Sequence, residues 1–299
     1  LHPRMTSMWR AMAAVDADVY YQRSPAPLTA FVAAFCRRHG KRSIYAAASD
    51  SDFLPGRQSL RFARDRWLFE RGLARVDAVI VQNEMQQRDC RENYHRRSTL
   101  IHSAYELPAD AHPTAGDCVL WVATLRPDKR PDLLLEIARR LPHRRFVVVG
   151  GAARNDPGGE AYYRAIAGAA AHLPNVEMQG FLPLARTEPW FDRARVFLST
   201  SDLEGMPNVF LQAWARGVPT VAFLDIGARL DGRPVYPIVK DAAEAAAAIE
   251  RLFADDIERA HAAARCREHF AAHHAVPEVL SRYRRVLDEL VTRRARANF

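Results

Sequence analysis

A chain of 299 residues has the length of about two ordinary domains, and its 48% hydrophobic content can fill sizeable cores. That excludes a disordered, collagen-like or small disulfide-stapled protein. The net charge of +8 is spread thinly (17 basic and 12 acidic residues in 1–113, 26 and 23 in the rest), so no basic stripe of the nucleic-acid-binding kind is legible.

Short apolar runs alternate with helical patterns along the whole chain. Strands are expected at 18–22, 43–49, 78–82 and 98–102. Between them fall a pattern near 26–39, a long Arg-rich helix near 58–74 and a helix near 84–94. The stretch 105–117, YELPADAHPTAGD, has two prolines, a glycine and no periodicity, and reads as a linker. The rhythm then resumes with strands at 118–123, 145–151, 176–180, 196–200 and 220–224. Helices are expected at 131–141, 160–172, 187–194 and 207–216. In the first of these, Pro131 suits the first turn, Leu134, Ile137, Ala138 and Leu141 make one apolar face, and Pro142 stops the pattern. Continuous apolar strands alternating with helices imply parallel sheets covered on both faces. The expected class is therefore α/β, with two Rossmann-like domains facing across a cleft. Residues 1–113 form the first and 114–276 the second. The segment 277–299 is a basic amphipathic helix that either crosses back to the first domain or stays on its own.

Cys36, Cys90, Cys118 and Cys266 lie far apart without zinc-ligand spacing, and read as buried thiols in a reducing compartment. No apolar run reaches the roughly 18 residues that span a bilayer. The first thirty residues carry Arg4, Arg10, Asp16, Asp18 and Arg23 and do not read as a secretory signal. A cytoplasmic location is expected, with peripheral contact at an anionic membrane face suggested by the Arg-rich helix near 58–75.

The stretch 196–222, VFLSTSDLEGMPNVFLQAWARGVPTVA, is the most informative. A strand ends at Ser199–Ser201, a polar loop presents Glu204 and Gly205, Pro207 opens a helix and Gly217 lies past its end. The free N–H groups at that helix start, with Asn208 beside them, suit a diphosphate. A carboxylate at Glu204 can accept two sugar-hydroxyl hydrogen bonds. Gln212 follows eight positions later.

This stretch resembles the donor site of the family 4 retaining glycosyltransferases of GT-B fold. Their pattern is Glu-Gly-x-Pro, a second Glu eight residues after the first, then Ala and Gly-Val-Pro. The resemblance places Glu204 on the donor sugar's hydroxyls, with Gly205, Met206, Pro207 and Asn208 as donor-site neighbours. The second acidic position, which holds the nucleotide ribose, is Gln212. A glutamine can accept and donate there but lacks the charge. Upstream, WVATLRPDKRPDLLLEIA (121–138) is similar to the family's phosphate-gripping Arg and Lys segment. Lys129 matches the Lys. The Arg position falls on Thr124, and Arg126 is expected to take its role. The loop VEMQGFLP (176–183) resembles the one that touches the base, through Gly180, Phe181 and Leu182. Ser49 and Asp50 occupy the first-domain loop where the family often has a His, and are candidate acceptor or sugar contacts. The resemblance implies a metal-independent hexosyltransferase-type enzyme without a cofactor. Its donor is a UDP- or GDP-linked sugar and its acceptor a glycan or lipid-linked glycan, as in bacterial polysaccharide synthesis. Alternatives are a non-catalytic sugar-nucleotide-binding partner subunit, or another GT-B activity such as an epimerase. The family's opening strand and Gly-rich loop are not found, so the first domain is expected to be truncated at its start.

Overall fold

The structure, a computed structural model, describes residues 3–114, 116–154, 156–202 and 206–297. The chain folds as two compact units, residues 1–103 with 277–299, and residues 104–276.

The first unit opens with α1 (Pro3–Val15) and β1 (Val19–Arg23), followed by α2 (Leu28–Arg38) and β2 (Arg42–Ala46). It continues with α3 (Ala63–Leu73), β3 (Ala78–Val81), α4 (Glu84–Tyr94) and β4 (Thr99–Leu100). The four strands lie in the order β1-β2-β3-β4, all parallel. One face buries Tyr45, Phe53, Phe69 and Leu73. α1 is a helix that was not among the expected elements. It sets Trp9 edge-on to Phe31 and Phe35 of α2, with ring centroids 5.4 and 4.9 Å apart. The Arg-rich helix is shorter than its pattern suggested, because turns occupy most of 54–62.

The second unit holds β5 (Cys118–Val122), α5 (Pro131–Arg140), β6 (Arg145–Val149), α6 (Gly159–Ala170) and β7 (Val176–Gly180). Then come α7 (Leu184–Asp192), β8 (Ala194–Ser199), α8 (Asn208–Ala215) and β9 (Thr220–Ala222). A hairpin of β10 (Arg229–Leu230) and β11 (Arg233–Pro234) precedes α9 (Ala242–Ala254) and α10 (Asp256–His273). Asp231 and Gly232 both have positive φ, 51° and 74°, which suits the tight Asp-Gly turn between the hairpin strands. The five-stranded sheet runs β7-β6-β5-β8-β9, all parallel. α5 buries Leu134, Ile137, Ala138 and Leu141 beside Ala245 and Ile249 of α9 in the core on one face. Phe191, Phe210, Leu211 and Trp214 of α7 and α8 fill the other. Helices on both faces explain why the strands are apolar along their whole length.

The units divide between residues 103 and 104, ten residues ahead of the boundary expected from the prolines. The reason is Tyr105. Its N–H donates to the His274 carbonyl (3.1 Å) and its hydroxyl to Glu188 (2.8 Å), so the linker's start belongs to the second unit. The last helix, α11 (Val276–Ala297), packs Val279, Val286 and Leu290 against Ile44, Ala46 and Ile80 of the first unit. The four cysteines are buried and unpaired. Burial pushes their thiols up, to about 12 at Cys36, Cys118 and Cys266 and about 11 at Cys90. Among the described residues no helix is long and apolar enough to cross a membrane.

Candidate functional site

In a parallel sheet every strand ends on the same edge, and ligands bind beyond those ends. In the second unit that edge carries the loops after β5, β6, β7 and β8. Because β5 pairs with β8, the Lys129 loop and the segment after Ser199 are neighbours despite seventy intervening residues. Hydrogen bonds lace them together. Thr200, fully buried, donates its hydroxyl to the Lys129 carbonyl (2.6 Å) and accepts from the Trp121 indole (2.9 Å). The Asp202 N–H donates to the Asp128 carbonyl (2.9 Å). Arg130 reaches Asp202 at 3.3 Å. Arg130 itself has φ 48°, unusual for a residue with a side chain, at the joint between the Lys129 turn and α5.

Lys129 is nearly buried, with Nζ 3.4 Å from Asp128 Oδ2, while the exposed Arg126 reaches the same oxygen at 2.7 Å. Partial burial of Asp128 works against its ionisation. The Arg126 hydrogen bond and the Lys129 charge outweigh it and hold the carboxyl below the usual range. Two cations thus converge on one loop, and the exposed Arg126–Asp128 pair is by itself weak. Among the described residues no group of three or more His, Cys, Asp or Glu could hold a metal ion.

The other donor-side residues distribute as follows. Thr124 is exposed just past β5. Gly180 has φ 65° and its carbonyl accepts from the Gly150 N–H (2.9 Å). Phe181 is 61% exposed, with the Arg154 guanidinium 4.8 Å from its ring centre, and Leu182 packs at the edge of the core. Gly150 admits no side chain: a Cβ there would lie 1.8 Å from the Ala123 carbonyl oxygen. The Gly150-Gly151 doublet just past β6 therefore lets the tips after β5, β6 and β7 close together. Met206 packs partly buried, Pro207 is buried as the N-cap of α8, and Asn208 is its exposed first residue. Glu204 and Gly205 lie outside the described residues.

Gln212 is not an open surface group. It is 5% exposed and donates its amide N–H to Glu188 Oε1 at 2.7 Å. Glu188 also takes the Tyr105 hydroxyl (2.8 Å) on its other oxygen, where Arg216 Nη2 stands at 2.7 Å as an ion pair. Arg216 Nε binds Asp192 (2.6 Å) and its Nη1 donates to the Tyr105 hydroxyl (2.9 Å). Burial pushes the Tyr105 hydroxyl up to about 12, so it stays a donor at neutral pH. Nothing in the local sequence of Glu188, inside an amphipathic helix, marked it for this role.

Ser49 and Asp50 belong to the first unit. Ser49 caps a short 3-10 turn by accepting from the Ser51 N–H. Asp50 Oδ1 accepts from Asn83 and Gln86, both at 2.8 Å, at the start of α4. Asp52 is buried and accepts from Tyr45 (2.9 Å) and the Ala48 N–H (2.7 Å); burial raises its pKa. His102 Nδ1 pairs with the Gln82 carbonyl at 2.8 Å.

Residues 116–255, just under half of the chain, match the family described as glycosyl transferases group 1. No sequence match to a curated protein was found. Among solved structures, sucrose-phosphate synthase from Thermosynechococcus elongatus superposes with a TM-score of 0.74 at 18% identity. The match covers 97% of this chain and 77% of that one. HepE from Anabaena in complex with UDP gives 0.73 at 16% identity, covering 97% and 82%. A variant of S. aureus TarM in complex with fondaparinux, alpha-GlcNAc-glycerol and UDP gives 0.69 at 16%, covering 93% of this chain. The chain spans 58% of TarM's length. The fold is GT-B. The segment that matches glycosyl transferases group 1 lies within the second unit.

Proposed function

We propose that the protein is a retaining glycosyltransferase that takes a sugar from a UDP- or GDP-linked donor. The observation that carries this reading is the lacing of the Lys129 turn to the segment after β8. It holds the Lys129 turn against Thr200 and Asp202 at the end of β8, within the segment matched to glycosyl transferases group 1. Lys129, Arg126 and the N–H groups at the start of α8 stabilise the departing diphosphate, in place of a metal ion. Glu204 holds the sugar's hydroxyls, flanked by Gly205, Met206 and Asn208. Gly180, Phe181 and Leu182 meet the base. Substitution proceeds on the same face of the sugar, with the leaving phosphate helping to deprotonate the acceptor, so no enzyme nucleophile is required. Ser49 and Asp50 are assigned to the acceptor or sugar.

Nucleotide release from a panel of UDP- and GDP-sugars, with and without chelator, tests the assignment. Turnover of one donor, unchanged by chelator, is the expected result. Tight UDP or GDP binding with no turnover of any donor would replace it with a non-catalytic binding subunit.

The acceptor is a glycan or lipid-linked glycan, and the first unit carries a surface suited to a membrane. Phe62 and Trp67 are each 53% exposed. The Arg61 and Arg71 guanidinium groups lie 5.4 and 4.7 Å from their ring centres, and Arg57, Arg64 and Arg75 are exposed nearby. Amphipathic rings flanked by arginines suit the headgroup region of an anionic bilayer. The protein should sediment with phosphatidylglycerol vesicles at low salt and be released at roughly 0.5 M NaCl, where surface charges are strongly screened. Trp67→Ala with Arg71→Glu should abolish sedimentation. Equal recovery in the supernatant with and without vesicles would refute the membrane contact.

A further inference from the structure

We propose that Glu188 is a positioning residue of the donor site: it requires a neutral amide at position 212 and turns that amide so that its carbonyl oxygen faces away from Glu188. This rests on the donor-site reading above only for the ligand; the pairing itself is structural.

A carboxylate accepts hydrogen bonds and cannot donate them. With 2.7 Å between Gln212 Nε2 and Glu188 Oε1, the nitrogen of the amide must be the atom facing Glu188. Its oxygen Oε1 then points the other way. The Gln212 side chain is 5% exposed, and its hydrogen bond to Glu188 runs through the nitrogen and not the oxygen. An acceptor in that position suits a hydroxyl-bearing ligand.

Every charged or titratable group shown against Glu188 supports the same conclusion. Asp192 is on its own helix, and Arg216 stands just past α8 between the two carboxylates. Tyr105 comes from the linker, with its N–H on the His274 carbonyl beyond α10. One cation therefore already serves two carboxylates. A glutamate at 212 would set a third against Glu188 at hydrogen-bond distance with no proton between them. The departure from the acidic pair seen at this position is thus explained by a residue 24 positions upstream.

The test is Gln212→Glu, Glu188→Gln and the exchanged double variant, in the full chain. Melting temperature and UDP affinity are followed from about pH 5 to 9. In Gln212→Glu two carboxyls compete for one proton, so the protein should gain a pH step absent from wild type. Its melting temperature and UDP affinity should both fall as pH rises, affinity by about tenfold or more. The exchanged pair keeps one N–H donor and one carboxylate. It should lose the pH step and recover UDP affinity to within about threefold of wild type. A Gln212→Glu melting temperature that follows wild type across the range would overturn the pairing. So would a double variant no better than the single one. If wild type binds neither UDP nor GDP, the donor-site reading fails, while the melting-temperature series still decides the pairing.

Discussion

Lys129→Ala should cut sugar transfer by about 10²–10³-fold, the cost typical of removing one preorganised stabiliser of developing negative charge. The charge in question appears on the diphosphate as the sugar departs. A side chain already fixed in place loses little in reorganising to meet it. Lys129 fits that description, since its backbone carbonyl is gripped by Thr200 and its side chain is nearly buried beside Asp128. Lys129→Arg should retain part of the rate, because the charge survives in a bulkier and less deeply seated group. Glu204→Ala should lose a comparable factor, with the loss carried by the sugar's ring hydroxyls and not by the phosphates. Steady-state kcat/KM with the best donor measures both. Unchanged melting temperatures would assign the losses to the site. Full turnover by both variants would remove the proposed chemistry.

Arg216→Met should destabilise the protein by about 3–5 kcal/mol, the range for breaking a buried ion pair from one side. The Arg216 side chain is fully buried between Glu188 and Asp192, at 2.7 and 2.6 Å. Methionine fills the volume but leaves both carboxylates and the Tyr105 hydroxyl without their cation. At roughly 2–4 °C per kcal/mol for a chain of this size, the melting temperature should fall by about 6–20 °C. Replacing Glu188 and Asp192 by glutamine and asparagine in the Arg216→Met background should recover much of that loss, since no uncompensated charge then remains. Thermal unfolding of the three proteins checks this. A drop within 1–2 °C of wild type would mean that water reaches the cluster and screens it, as at an exposed pair.

The strand and helix sequence of the second unit was legible because each element carries its own period. α5 reads as one apolar face between two prolines; that face is buried, together with Leu133 and Leu135. Pro207 and Gly217 bracket α8 as punctuation, and Gly217 adopts φ 68° at its end. Where the chemistry depends on short-range spacing, as around Lys129, the candidate residues could be named from the sequence too.

Other features were missed in the sequence. α1 was not anticipated, although Met5, Met8, Trp9 and Met12 fall at helical spacing and Trp9 and Met12 pack against buried residues of α2. Residues 58–62 were read into the Arg-rich helix, but they continue the turns that Pro55 and Gly56 begin, and the helix starts only at Ala63. Tyr105 looked like the start of a linker, but its hydrogen bonds with His274, Glu188 and Arg216 bind it to the second unit.

By itself, then, the sequence determined the α/β alternation, the apolar register of each strand and the identity of the loop residues at the strand ends. Those depend on interactions within a few residues, which periodicity and capping record. Only the tertiary structure decided which loops meet and which polar groups pair. Strand order sets β5 beside β8 and so joins Lys129 to Thr200. Helix packing brings Glu188 to Gln212 and Arg216, and that contact decides why an amide stands where a carboxylate would be expected.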